Sequence, residues 1–166
     1  MDVTKAITLL KEAGWEDTDG DHIIDKEFNG KQIPFRFKVS YMSAGSSKDI
    51  VLMMADEMKK AGIQVVPSPM DFAVFYKNAQ NHDFDAMMGA WSSGSSYQDP
   101  LQLWGTDNWA NKGYNFCGFG DSRSDSLIKA ANGTFNEEQQ VVKINTSEYK
   151  SCCLGQAYIL TLQTSY

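Results

Sequence analysis

The chain of 166 residues opens with helical spacing of its apolar positions and then changes to strand-like alternation. Apolar residues recur three or four positions apart over 3–13, and Gly14 follows where a helix-terminating glycine is typical. Residues 33–41 alternate between apolar and polar, which predicts a strand with one covered face. The first helix and the first strand are thus separated by the most acidic stretch of the chain.

Helices and strands then alternate at short intervals. Ser46 with Asp49 forms a capping-box pattern, and the helix that it opens is predicted to end at Gly62, directly before the strand 63–67. A short helix after Asp71 leads to the apolar run 84–91, which has the composition of a strand covered on both faces. This order predicts an α/β fold with a largely parallel sheet flanked by helices.

The rest of the chain holds a long loop, two helices and a last strand. The loop spans 105–120 and is rich in glycine, asparagine and aromatic residues. Helices are predicted over 124–131 and 136–153, and an apolar strand over 157–162. The length and the absence of a linker composition predict a single α/β domain over residues 1–166.

A candidate ligand surface follows the strand 84–91. The polar loop after it places small side chains beside aromatic rings, and ligands bind at the carboxyl ends of strands in open α/β sheets. The candidate contacts in this stretch are Trp91, Ser92, Ser93, Tyr97 and Asp99. The aromatic rings have the alternative role of closing the end of the core.

A second motif lies in the acidic stretch 17–28. Four aspartates occupy positions 1, 3, 5 and 9 of a calcium-loop spacing, namely Asp17, Asp19, Asp21 and Asp25. His22 replaces the usual glycine at position 6, and Phe28 replaces the usual glutamate at position 12. The stretch therefore predicts either a structural Ca²⁺ site or an acidic, solvated turn.

Composition limits the remaining function classes. A net charge of −6 argues against a nucleic-acid partner, because phosphate binding needs clustered lysine and arginine. No nucleophile elbow, paired histidine motif or cysteine framework is present in the sequence, so we expect a protein that is not an enzyme. No run approaches the length of a membrane helix.

Several short motifs, taken in order, resemble one family. The first is AITLLKEAGWEDTDGD over 6–21. The second, over 61–65, is AGI followed by a valine. The third, over 84–100, contains FDA, then a glycine, a tryptophan and an Asp-Pro step. The last is Asn115 followed by a D-x-L-I pattern over 125–128. Together they resemble the second lobe of extracytoplasmic solute-binding proteins that serve peptide, dipeptide and nickel ABC importers.

The resemblance implies a C-terminal-side lobe of a two-lobed protein, periplasmic or membrane-anchored, of about three times this length. Its partners would be a small solute or peptide, the missing first lobe and an ABC permease, and Trp109 and Asn115 join the candidate ligand residues. The acid that the family often carries between its tryptophan and the Asp-Pro step is absent before Asp99, and Asp99 itself matches the more structural Asp-Pro step, so a structural turn is its alternative role. A sugar or a peptide analogue therefore stays open as the ligand, and a calcium-dependent interaction module using residues 17–28 is the alternative function.

Overall fold

The computed structural model describes residues 2–89 and 99–133, and the backbone of residues 159–162. The chain divides into two compact units, Met1–Phe72 and Ala73–Tyr166. The prediction of a single lobe over 1–166 remains a prediction, and each unit is described separately below.

The first unit begins with helix α1, Val3–Glu12. The Asp2 side chain caps it by accepting a hydrogen bond from the Lys5 N–H, and Gly14 continues from its end with φ +82°. Glycine adopts this conformation without the steric cost that a Cβ would add. The predicted helix and its terminating glycine are thus confirmed.

The strand predicted over 33–41 is two strands in the structure. Strand β1 (Asp25–Phe28) pairs antiparallel with β2 (Lys31–Pro34), and β3 (Arg36–Met42) begins after a bend at Phe35. Pro34 lacks the N–H that a continuing ladder needs. The Phe35 N–H instead donates to the Ile24 carbonyl at 2.7 Å. The prediction of one continuous strand was wrong for this reason.

Strand β3 pairs in parallel with β4 (Gln64–Met70), and helix α2 (Ser47–Lys59) connects them. This is the predicted parallel crossover. The predicted capping box is wrong, since Ser46 has helical backbone angles and its side chain makes no capping hydrogen bond. Buried apolar side chains from all three elements and the turn after α2 form the core of this unit: Val39, Tyr41, Val51, Ala61 and Val65.

The second unit contains helices α3 (Phe72–Asn81, which begins at the last residue of the first unit), α4 (Leu101–Trp104), α5 (Asp107–Ala110) and α6 (Ser122–Asn132). Strand β5 (Ala86–Gly89) pairs antiparallel with β6 (Ile159–Leu162). The last strand was predicted, whereas its antiparallel direction departs from a largely parallel sheet. Three consecutive residues of β5 are buried, as expected for a strand covered on both faces. The helix predicted over 136–153 lies outside the described residues.

Candidate functional site

The carboxyl ends of β3 and β4 lie side by side in the first unit. The Ser43 N–H, just beyond β3, donates to the Met70 carbonyl at the end of β4 at 2.8 Å. Phe72 follows β4 and is 67% exposed, although large aromatic side chains are usually buried. Phe72 follows this edge by two residues in sequence, and the carboxyl ends of parallel strands are where open α/β folds bind ligands.

The sequence analysis did not identify this edge. A signal was available, because MSAGSS over 42–47 closely repeats WSSGSS over 91–96. The turn after β3 uses Gly45 at φ +94° and leads directly into α2. The strands predicted over 33–41 and 84–91 are thus each followed by a stretch of small residues, but only the second stretch was considered as a ligand surface.

The ligand residues predicted after β5 fall largely outside the described residues. Trp91, Ser92, Ser93 and Tyr97 all lie in 90–98, and their roles stay predictions. Before them, β5 ends at Gly89, where a Cβ would lie 3.5 Å from the Phe75 ring.

Asp99 connects two helices of the second unit. Its Oδ1 accepts hydrogen bonds from the Leu101 N–H at 3.0 Å and from Asn132 Nδ2 at 2.6 Å. The first bond joins Asp99 to the first residue of α4, and the second joins it to the last residue of α6. The described contacts of Asp99 are therefore structural, and contact with a ligand stays a prediction.

Asn115 is fully buried and bonds to the surrounding loop. Its Nδ2 donates to the Gly105 carbonyl at 3.1 Å and to the Phe119 carbonyl at 2.8 Å. Its Oδ1 accepts from the Phe119 N–H at 3.1 Å. Because the side chain is 0% exposed and both its amide nitrogen and its amide oxygen are hydrogen-bonded, the geometry supports a structural role, and the predicted ligand contact stays a prediction.

Trp109 stacks on a histidine from the segment that precedes β5. The ring centroids of His82 and Trp109 are 3.5 Å apart and the planes differ by 21°. A Cβ at Gly118 would lie 3.2 Å from the Trp109 ring, so glycine allows the loop to pass close to the indole. His82 lies in the turn after α3 and is half-buried. Trp109 packs within its own unit, and its predicted ligand contact is untested.

An aromatic cluster joins α3 to the loop before α6. Tyr76 lies 6.1 Å, centroid to centroid, from both Tyr114 and Phe116. Burial, and then a hydrogen bond with Tyr114, raise the pKa of Tyr76 to about 12. Gln80 adds a hydrogen bond from its side chain to the Lys112 carbonyl at 2.9 Å.

The acidic loop brings three of the four predicted metal ligands together. Asp17, Asp19 and Asp21 each offer a carboxylate oxygen within 4.8 Å of the others, and all three are exposed. Asp17 accepts from the N–H groups of Gly20 and His22 at 2.8 and 3.0 Å. His22 adopts φ +69°, the left-handed conformation usual for the glycine it replaces.

Asp25 is separate from that group. It is buried, and its carboxylate accepts from the Thr18 hydroxyl at 2.8 Å and from the Thr18 N–H at 3.1 Å. The described geometry therefore does not support Asp25 as a fourth metal ligand. It gives Asp25 the role of holding the start of the loop against β1.

Comparison with protein families identifies the chain. Residues 1–113 match the model described as bacterial extracellular solute-binding proteins, family 5 Middle. The chain belongs to this family. Its α/β class is that of the periplasmic binding proteins found among its structural neighbours.

Known family 5 proteins resemble the chain in sequence and in fold. The oligopeptide-binding protein AppA of Bacillus subtilis is 31% identical over 156 residues, which are 93% of this chain and 28% of AppA. The structure of AppA with a nonapeptide superimposes with a TM-score of 0.71 at 30% identity, over 89% of this chain and 29% of AppA. The chain thus spans somewhat over a quarter of this relative.

More distant structures share the fold. An oligopeptide-binding protein of Thermus thermophilus, complexed with a pentapeptide, has a TM-score of 0.72 at 22% identity, over 90% of this chain and 27% of that one. MelB of Agrobacterium fabrum, in complex with stachyose, has a TM-score of 0.72 at 15% identity, over 90% of this chain and 24% of that one. Among the described residues of this family 5 chain, no helix has the length and apolarity to cross a membrane.

Proposed function

We propose that this chain is part of the solute-binding protein of an ABC importer and contributes one wall of its ligand cleft. The observation that carries the proposal is the 31% identity to AppA over 93% of the chain, because AppA is an oligopeptide-binding protein. The proposed partners are a peptide or a similar small solute, the remaining lobe of the same protein and an ABC permease. The proposed location is extracytoplasmic, with a signal or anchor outside this chain.

The mechanism proposed is binding between lobes without covalent chemistry. A ligand that contacts both lobes favours the closed state, and the closed form is presented to the permease. One lobe supplies only part of the contacts, so we expect weak or undetectable binding by these 166 residues alone. The binding experiment accordingly needs the full-length protein.

The edge formed by Ser43, Met70 and Phe72 supports a role in peptide binding. An exposed aromatic ring provides apolar contact area, and strand-end loops present backbone N–H and C=O groups that a peptide can pair with. We propose that Phe72 packs against a side chain of the bound peptide. The predicted contacts Trp91, Ser92, Ser93 and Tyr97 remain part of this proposal.

Calorimetric titration of the full-length protein with a nonapeptide tests the proposal. Replacing Phe72→Ala should weaken binding by roughly tenfold, equivalent to about 1.4 kcal/mol for a lost aromatic contact. The matched control is Met53→Ala, since Met53 is an apolar residue of α2 that is also exposed, at 63%; it should leave Kd unchanged.

Two results would contradict the proposal at different levels. Absence of peptide binding by the wild-type full-length protein would refute the peptide-import role, and binding of an oligosaccharide instead would assign the ligand to the sugar alternative. Equal Kd values for wild type and Phe72→Ala would refute only the role of this edge. The family offers no support for the calcium-dependent interaction module, and calcium binding remains a separate prediction.

A further inference from the structure

Strand β4 pairs with β3 along one of its edges, and among the described residues no strand pairs with its other edge. Hydrogen bonds at both ends show which residues face β3. At the start, the Gln64 N–H donates to the Phe35 carbonyl at 3.0 Å. At the end, the Met70 carbonyl accepts from the Ser43 N–H at 2.8 Å. Backbone groups alternate sides along a strand, so the odd-numbered residues of β4 turn theirs to the outer edge.

Two of the three residues on this outer edge are prolines. Val65 offers an N–H, whereas Pro67 and Pro69 have none. The ring carbon bonded to each proline nitrogen stands where the amide hydrogen of another residue would be. Pro67 is half-buried and Pro69 is exposed. The outer edge therefore has three carbonyl groups that accept hydrogen bonds and one N–H that donates.

The rest of β4 has the composition of a strand that pairs readily with others. Its sequence is QVVPSPM, seven residues without a charged side chain. Free edges of sheets are templates for a further strand, and charged residues, bulges or prolines usually protect them. Uncharged segments of six or seven residues with β-branched side chains stack on copies of themselves when no proline interrupts them. The prolines are thus the feature of β4 that opposes such pairing.

We propose that Pro67 and Pro69 close the outer edge of β4 to strand addition by a second copy of this chain. Two copies of β4 that met edge to edge would each present two prolines where donors are needed. The carbonyl groups opposite those prolines would stay unpaired, and an unpaired buried carbonyl group costs free energy. This role goes beyond ligand binding, because it concerns the side of the sheet and not the ends of its strands.

Sedimentation velocity of the full-length protein at increasing concentration tests this role. The double variant Pro67→Val/Pro69→Val returns two N–H donors to the outer edge. Two further backbone hydrogen bonds per copy should lower the concentration at which copies associate by about tenfold or more. Hydrogen exchange of the amides at 67 and 69 should slow as the variant associates, because they pair in the new interface.

Ser68→Val is the matched control for added apolar surface. It places the same side chain in the same strand, at a residue whose backbone groups already face β3, so it should associate no more than the wild type. Removal of proline also makes the unfolded chain more flexible. Pro67→Lys/Pro69→Lys makes the same backbone change while its charges protect the edge, so it should stay monomeric.

Three results would overturn the proposal. In the first, the double valine variant associates no more than the wild type. In the second, Ser68→Val or the double lysine variant associates as strongly as the double valine variant, which would assign the effect to apolar surface or to lost stability. In the third, association leaves exchange at 67 and 69 unchanged, which would place the interface elsewhere. Peptide binding by the wild type is a separate measurement, and its failure would leave these results unaffected.

Discussion

Replacing Asn115 with alanine should destabilise the second unit more than any comparable change at its surface. The fully buried amide makes three hydrogen bonds of 2.8–3.1 Å to the backbone of Gly105 and Phe119. At a net contribution of about 1 kcal/mol each, their loss corresponds to about 3 kcal/mol of unfolding free energy. The residue belongs to the loop 105–120, so its removal should also loosen the packing of Phe119 on Trp104.

Urea unfolding followed by circular dichroism and tryptophan fluorescence measures this loss from the transition midpoint and slope. Asn111→Ala is the matched control, because Asn111 is exposed in the same loop, and its effect should stay within about 0.5 kcal/mol. Asn115→Asp keeps the shape but turns a carboxylate toward two carbonyl oxygens, so it should be at least as destabilising at neutral pH and less so in acid, where the protonated carboxyl can donate. A loss below about 1 kcal/mol in Asn115→Ala, or one no larger than in Asn111→Ala, would refute the assigned role.

Three further predictions concern other parts of the chain. Gly62→Ala should cost roughly 1–3 kcal/mol more in thermal or urea unfolding than Gly30→Ala, because both have φ near +80° but only at Gly62 would the Cβ meet Ile24, at 2.8 Å; equal losses would contradict the steric reason. The pKa of Tyr76 is raised to about 12, against about 10 in the unfolded chain. The contribution of Tyr76 to the free energy of unfolding is therefore complete below pH 10 and is lost as the pH rises toward 12. The difference in tyrosinate absorbance between wild type and Tyr76→Phe should show a step near pH 12, and a step near pH 10 would exclude the shift. Should the acidic loop bind Ca²⁺, millimolar calcium raises the melting temperature of the wild type and not of Asp19→Asn, whereas identical melting with and without calcium rules out the site.

The sequence was sufficient for elements whose ends are marked by local chemistry. The 3.6-residue period and Gly14 defined α1, and the parallel β3–α2–β4 unit followed from the alternation of strand and helix. It was insufficient where a contact distant in sequence decides the outcome. Pro34 marks the bend locally, but the Ile24 carbonyl that accepts the Phe35 N–H lies outside the local pattern.

The predicted ligand contacts are largely untested, because four of the candidate residues lie in 90–98, outside the described residues. Asn115 was grouped with ligand residues by its position in a family motif, although burial gives it a structural role. Asp25 fits the calcium spacing in sequence. In the structure, however, Asp25 begins strand β1, and its carboxylate accepts a hydrogen bond from the Thr18 hydroxyl. Phe72 begins helix α3, and only its exposure in the structure identifies it as a candidate contact.

Helix α6 fastens the segment before it at two points. Asn132 bonds Asp99 at one end, and Asp125 receives both the N–H and the hydroxyl of Thr106 at 3.1 and 2.6 Å. A protease that cut the exposed backbone near Lys112 would therefore leave both halves fastened to the same helix. The nicked molecule should stay together under native conditions and separate into two fragments only in denaturant. Contacts of α6 would thus hold the two fragments together in place of the broken backbone.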